Sequence, residues 1–166
     1  VRDTENAPLA GVMVQVASHP ELGWTMTRVD GTFDLAINGG GVFTVRYDHP
    51  DHLPVQRQVR TTWKDYFWLD DVVMTRLDAN VTAIDLQTAT DMQVARGSAV
   101  ADVDGSRQAT LLFPAGIQAE LHLLDGSAAP LSSINVRATE YTVGENGPAA
   151  MPGELPEDDP YTFSAD

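Results

Sequence analysis

Short runs of alternating apolar and polar residues, separated by glycine and proline turns, recur along this chain of 166 residues. Alternation with a period of two places the apolar side chains on one face of a β-strand. No stretch of the sequence shows the sustained periodicity that an amphipathic helix requires. The sequence therefore predicts an all-β protein built from half-buried strands.

The segment GWTMTRVDGTFDL, residues 23–35, is the clearest of these units. Two runs of strand-forming residues flank Asp30-Gly31, a pair that supplies the positive φ of a tight hairpin turn. Beyond the turn, apolar side chains again occupy every second position as far as Ile37. This pattern predicts a β-hairpin at the centre of a half-buried sheet.

Strand patterns and turns divide the chain into two β modules. In the first module, Val12, Val14 and Val16 alternate with less apolar residues, and the run at 72–74 predicts a short, fully buried strand. The pattern restarts after Asp78. We therefore predict a β-sandwich over residues 1–78 and a second β module over residues 79–166.

The end of the second module predicts that it is truncated. Residues 144–160 are rich in proline, glycine and acidic side chains and are typical of a long surface loop. A last strand signal at 161–163 is followed almost at once by the end of the sequence. Such a module would have an unpaired edge, so we expect the natural chain to continue.

Charge excludes several classes of partner. The chain has 24 acidic and 10 basic residues and a net charge of −14, which repels phosphate backbones and anionic bilayers. No apolar run approaches the roughly 18 residues of a membrane-spanning helix. We expect neither nucleic-acid binding nor membrane insertion. Cysteine is absent, so there is no disulfide framework and no thiolate site.

Three motifs of the first module have a recognisable pattern: PLAGVMVQV at 8–16, T-x-x-DG-x-F-x-L at 27–35 and NGGGVFTVRY at 38–47. They resemble the transthyretin-like, carboxypeptidase-regulatory-like β-sandwich. The longer run that ends with DDVVM at 70–74 resembles the corresponding region of teneurins and of bacterial proteins with Rhs or YD repeats.

The second half extends this resemblance. DVDGSRQATLLFPAG at 102–116 and VRATEYTVGENGPAAMPGELP at 136–156 are similar to the segment that follows in bacterial Rhs-type proteins. In those proteins a fibronectin-like plug domain docks into the base of a large β-barrel shell. The resemblance implies a structural module of a large secreted or cell-surface protein, whose partners are other domains of the same polypeptide. It offers no catalytic residues, and an accessory domain of a carboxypeptidase-like enzyme stays an alternative.

Four aromatic residues within six positions are the main candidates for an interface: Trp63, Tyr66, Phe67 and Trp68. Our preferred interpretation is that they cover one end of the sandwich or pack between the modules. An anchor in a neighbouring domain, or a platform for a protein or a carbohydrate, is the alternative. Rings packed between β-layers would favour a structural module that braces its neighbouring domains, here termed the brace. Rings open to solvent would favour a binding module.

Metal sites have only weak candidates. His49, Asp51 and His52 lie within four residues, but transition-metal sites need about three or four converging ligands, and a proline-containing turn does not aim them. Asp102 and Asp104 could contribute to a loose Ca²⁺ site, but turn chemistry on a solvated acidic surface is our preferred interpretation. No G-x-S-x-G, H-E-x-x-H or P-loop pattern occurs. We therefore expect no enzyme activity and no cofactor.

Overall fold

The structure is a computed structural model of the 166-residue chain, and it describes residues 1–102, 105–123, 125–141 and 144–153. Two compact units divide it: residues 1–76 with the C-terminal residues 144–153, and residues 77–141. Regular structure in the described residues consists of β-strands and two short 3₁₀ segments, which confirms the all-β prediction. Among these residues, no helix is both long and apolar enough to cross a membrane.

The first unit is built around a four-stranded antiparallel sheet. Its strands are β1 (Arg2–Asp3), β2 (Met13–Val16), β3 (Trp24–Met26), β4 (Val42–Asp48), β5 (Val55–Arg60) and β6 (Val73–Met74). The sheet has the strand order β3-β2-β4-β5, and β1 pairs in parallel with β6 as a separate two-stranded sheet. A 3₁₀ segment, Pro20–Leu22, connects β2 to β3.

One face of the four-stranded sheet packs into the core. Val14 and Val16 of β2 are buried, whereas Met13 and Gln15 are only half-buried, so the predicted alternation is confirmed. The core cluster joins side chains of the sheet to side chains in and beside β6: Val12, Val14, Val45, Tyr47, Val55, Val72 and Met74. Burial of each contributes about 1.5–3 kcal/mol, so this cluster is the main stabilising term of the unit.

The turn at Asp30-Gly31 forms as the sequence predicts. Gly31 has a φ of 74°, and its N–H donates to the carbonyl of Arg28 over 2.9 Å. The carboxylate of Asp30 accepts hydrogen bonds from the hydroxyl and the backbone N–H of Thr32, at 2.7 and 3.0 Å. These two bonds lower the pKa of Asp30 and keep the turn closed around a charged carboxylate.

The predicted hairpin does not continue beyond this turn, and that part of the prediction is wrong. β3 ends at Met26, and residues 32–37 pair with no strand, although their apolar side chains are half-buried. The backbone of Thr27 exchanges hydrogen bonds with Gly11 and Val12, and its hydroxyl accepts from the N–H of Val12 over 2.9 Å. These bonds continue the pairing of β3 with the chain before β2. Across the turn, the N–H of Arg28 donates to the carbonyl of Thr32 over 2.8 Å, and the pairing ends there.

The C-terminal residues 144–153 return to the first unit. A 3₁₀ segment covers Gly144–Ala150, and its last residue is buried. The guanidinium of Arg57 donates to two carbonyls of this segment, at 3.2 and 3.0 Å. The backbone N–H of Gln56 donates to the carbonyl of Pro152 over 2.8 Å. The segment therefore covers part of the outer edge of β5.

This packing corrects the prediction of a surface loop over residues 144–160. The prediction is wrong for residues 144–153, because an edge strand presents unpaired backbone groups that nearby carbonyls can satisfy. Residues 154–160 and the predicted strand at 161–163 lie outside the described residues.

The described residues of the second unit form four antiparallel strand pairs. Its strands are β7 (Thr82–Asp85), β8 (Gln93–Arg96), β9 (Val100–Asp102), β10 (Gly105–Arg107), β11 (Thr110–Phe113), β12 (Glu120–His122), β13 (Ala128–Pro130) and β14 (Ser133–Val136). The pairs are β7 with β14, β8 with β11, β9 with β10 and β12 with β13. Among its described residues, Ile84 and Ala95 are buried apolar side chains, while many others are exposed. The division at Asp78 and the truncation of residues 79–166 stay predictions.

Candidate functional site

The four aromatic residues predicted to cover the sandwich lie instead on the surface. Trp63, Tyr66, Phe67 and Trp68 are 71%, 95%, 53% and 92% exposed. Residues 63–68, here termed the aromatic segment, follow β5 and form no strand. The interpretation as a cover over the core is therefore wrong, because the core cluster closes without these rings.

A run of glycines holds the aromatic segment in place. A Cβ added to Gly40 would lie 2.0 Å from the indole Nε1 of Trp63, so the indole packs directly on the glycine backbone. A Cβ added to Gly39 would lie 2.3 Å from the carbonyl oxygen of Thr62. The hydroxyl of Thr61 accepts from the N–H of Gly40 over 3.2 Å. The sequence carries no signal of this contact, because neither the glycine run nor the aromatic residues specify locally which loop they meet.

His49 and His52, two of the metal-ligand candidates, contact each other. Their Nδ1 atoms lie 2.9 Å apart, and their ring planes are inclined by 79°. The N–H of Asp51 also donates to Nδ1 of His49, at 3.2 Å, so this nitrogen is the acceptor and Nδ1 of His52 is protonated. Burial lowers the pKa of His52, and the neighbouring His49 and Arg76 lower it further.

The described residues do not assemble a metal site from these candidates. Asp51 is exposed and reaches the histidine pair through its backbone N–H. Asp102 accepts hydrogen bonds from the guanidinium of Arg107, which also bonds Glu140 over 2.8 Å. No group of three or more His, Asp or Glu side chains within the described ranges is placed to hold a metal ion. Asp104 lies outside those ranges.

The first unit matches a known family. A family model described as the teneurin TTR-like domain matches residues 1–74. Residues 1–74 form a teneurin-type transthyretin-like domain. The match ends with the last residue of β6, so this transthyretin-like domain contains all six strands of the first unit. The predicted resemblance of the first module to a transthyretin-like domain of teneurins is confirmed.

Several teneurins are similar to this chain. Teneurin-3 of Danio rerio is 33% identical over 86 residues, and Teneurin-1 of Gallus gallus is 32% identical over 84 residues. Teneurin-1 of Caenorhabditis elegans is 38% identical over 69 residues. These alignments cover 52%, 51% and 42% of this chain but 3% of each relative. The chain with its transthyretin-like domain thus corresponds to a small part of far longer proteins.

Proposed function

We propose that this chain is a non-enzymatic structural module of a larger teneurin-like or Rhs-type polypeptide, and that it braces or plugs the YD-repeat shell of that polypeptide. The observation that carries the proposal is the match of residues 1–74 to the teneurin TTR-like domain, together with relatives of which the alignment covers 3%. The exposed rings of the aromatic segment need a covering surface in the brace and in a binding module alike. A folded protein seldom leaves so much aromatic surface in water unless another surface covers it. The proposal assigns no catalytic residue and no cofactor.

The aromatic segment has the properties of an interface anchor. Trp63 is fixed on Gly40, so it positions the three rings that follow it. Lys64, between them, has a φ of 55°, a region that residues other than glycine seldom adopt outside functional sites. Covering Tyr66 or Trp68 would contribute about 1.5–3 kcal/mol for each ring. We propose that Tyr66, Phe67 and Trp68 make the contact and that Trp63 is their base.

The second unit supports a plug-like role through its exposed apolar residues. Val94 of β8 pairs directly with Leu112 of β11, and both side chains are exposed on the same face. Leu121 and Leu123 are exposed as well. Apolar surface of this kind favours a protein partner that removes it from water. We propose that the shell of the same polypeptide is that partner.

The parent polypeptide is proposed to be secreted or at the cell surface, as the likeness to teneurins implies. The net charge of −14 disfavours nucleic acid and anionic membranes as partners of this part of the chain. The proposed contacts are therefore contacts with protein domains.

Ring exposure also favours a second candidate function. An adhesion module would use the aromatic segment to bind a separate protein or a carbohydrate, and rings open to solvent are what such a platform requires. The two functions differ in one respect. In the brace the covering surface belongs to the same polypeptide, and in the adhesion module it belongs to another molecule.

Site-specific photo-cross-linking in the full parent polypeptide separates the two. A Trp68→benzoylphenylalanine probe is expected to cross-link to the YD-repeat shell of the same molecule. The matched control is Val29→benzoylphenylalanine, because Val29 is similarly exposed on the turn after β3 but lies outside the aromatic segment. Products between position 68 and a second molecule would favour adhesion. Equal yields of shell product from both positions would contradict the brace.

A further inference from the structure

A surface cavity of about 530 Å³ lies on the face of the four-stranded sheet opposite the core. Strands β2, β4 and β5 form its floor, and the turn after β2 with the following 3₁₀ segment forms its wall. Its lining, here termed the outer groove, includes Gln15, Ser18, Pro20, Thr44, Arg46 and Gln56. This volume falls within the range of sites that hold small ligands.

Three side chains that line the outer groove form one cross-strand row with Trp24, which lies beside the groove. Trp24 pairs with Gln15, Gln15 pairs with Arg46, and Arg46 pairs with Gln56, on four adjacent strands. Directly paired residues point to the same face, and neighbouring strands lie about 4.8 Å apart. That spacing is close to the repeat of sugar rings in an extended oligosaccharide. Trp24, at one end of the row, is 62% exposed.

The polar members of the row are positioned and have unused hydrogen-bonding capacity. Both carboxylate oxygens of Asp48 accept from Nε of Arg46, at 2.9 and 2.8 Å, so the guanidinium is held in place and its charge is balanced. Within the part of the chain that the structure describes, the side-chain amides of Gln15 and Gln56 have no hydrogen-bond partner. Each amide offers two donors and an acceptor, a combination that matches neighbouring sugar hydroxyls.

Charge and backbone geometry narrow the class of ligand. Because Asp48 neutralises Arg46 and the chain has a net charge of −14, an anionic ligand would be repelled. Ser18, in the wall, has a φ of 63°, and such backbone strain concentrates at ligand sites. A neutral, polyhydroxylated ligand with one apolar face fits an indole beside two amides and a guanidinium.

We propose that the outer groove binds a neutral oligosaccharide. The indole of Trp24 stacks on the apolar face of one sugar ring, and Gln15, Arg46 and Gln56 bind hydroxyls of the rings that follow. This site lies on the sheet and not on the aromatic segment, so it does not rest on the function proposed above.

Nuclear magnetic resonance titration of the ¹⁵N-labelled chain tests the proposal. The probes are cellohexaose, maltohexaose, mannohexaose and chitohexaose, each at about 10 mM, which suffices to detect a Kd of about 1 mM. At least one probe is expected to shift the side-chain amide signals of Gln15 and Gln56 and the indole N–H signal of Trp24. Trp24→Ala should raise the Kd about tenfold or more, and Gln56→Ala roughly threefold to tenfold.

The control is Tyr141→Ala, which removes an exposed aromatic ring of the second unit, outside the outer groove and outside the aromatic segment, and should leave the Kd unchanged. Shifts in the unaltered chain locate the site even if a variant fails to fold. No response to any of the four probes overturns the proposal. A response centred on Trp63 and Trp68 also overturns it, because the sugar would then bind the aromatic segment. Binding of 6′-sialyllactose but of none of the neutral probes would contradict the neutral ligand.

Discussion

Nδ1 of His52 donates a hydrogen bond to Nδ1 of His49, 2.9 Å away, within the turn that joins β4 to β5. The main chain fixes this turn, since the N–H of His52 donates to the carbonyl of His49 and the N–H of Leu53 donates to the carbonyl of Thr75. His52 is buried. A proton added to this pair would charge a buried ring beside a second imidazole and Arg76, so the turn is sensitive to pH.

We expect the first unit to lose stability as the pH falls from about 7 to about 5. Burial, His49 and Arg76 place the pKa of folded His52 below its value of 6.5 in the unfolded chain, and Asp51 and Asp3 oppose this shift only in part. The contribution of neutral His52 to the free energy of unfolding is therefore complete above the pKa that His52 has in the unfolded chain. It is lost as the pH falls through 6.5 toward the folded pKa, because the unfolded chain then binds the proton more readily.

Thermal melting of the His52→Asn variant at pH values of about 7 and about 5 measures the pH-dependent contribution of His52 to stability. Asparagine can donate from the position of Nδ1 but cannot become charged, so the fall in Tm between the two pH values should be smaller in the variant. His122→Asn is the control, because His122 is exposed in the second unit. An equal fall in Tm for the unaltered chain and for His52→Asn would contradict the prediction.

Gly31→Ala is expected to destabilise the first unit by about 3 kcal/mol or more. The φ of 74° disfavours a side chain, and a Cβ would lie 2.2 Å from the carbonyl oxygen of Val1. The matched control is Gly11→Ala, because Gly11 has a φ of 77° but a Cβ added there would meet no atom within 4 Å. Gly11→Ala should lower the free energy of unfolding by about 1–2 kcal/mol. Urea denaturation measures the loss in both variants, and equal losses would show that crowding against Val1 contributes nothing.

Sequence patterns predicted the structural features that depend only on residues adjacent in the chain. Alternation identified the buried face of β2 through Val14 and Val16, and Asp30-Gly31 identified the turn. The extent of the hairpin was not predictable in this way. Alternation at residues 32–37 does not tell whether a partner strand is available, and the structure pairs these residues with no strand.

Tyr47→Phe is expected to stabilise the first unit by about 1 kcal/mol. Tyr47 is buried, its ring meets Phe33 edge to face at 5.9 Å, and its hydroxyl has no hydrogen-bond partner among the described residues. Burial raises the pKa of Tyr47 to about 12, consistent with a phenol that lacks stabilising donors. Val45→Ala, which removes volume from the same strand, is the control and should destabilise. A lower midpoint for Tyr47→Phe in urea would indicate that the hydroxyl is bonded.

Arg57→Ala is expected to release the C-terminal residues 144–153 from the edge of β5. The substitution removes the guanidinium that donates to the carbonyls of Pro148 and Ala149. Hydrogen exchange followed by mass spectrometry should then show faster exchange in this segment, with the core strands unchanged. Arg60→Ala, an exposed arginine of the same strand, is the control. Unchanged exchange in Arg57→Ala would show that other contacts hold the segment.

The candidate site was predictable in composition but not in position. Four aromatic residues within six positions predict an interface, since such side chains need cover. The hydrophobic effect is not directional, however, so the sequence does not tell whether the cover lies in the same unit. Trp63 packs on Gly40, a contact between two loops that neither local sequence predicts.

Trp68→Ala is expected to change the free energy of unfolding of this chain by less than about 0.5 kcal/mol, because the ring is exposed. Removal of a buried ring would lower the free energy of unfolding by about 3–5 kcal/mol, which is the loss expected for the core control Tyr47→Ala. In the full parent polypeptide the proposed brace covers the ring, so the same substitution should weaken that contact by about 1.5–3 kcal/mol. Urea denaturation of both proteins measures the difference. A loss of several kcal/mol in the 166-residue chain would place the ring inside it, and no loss in the parent polypeptide would contradict the brace.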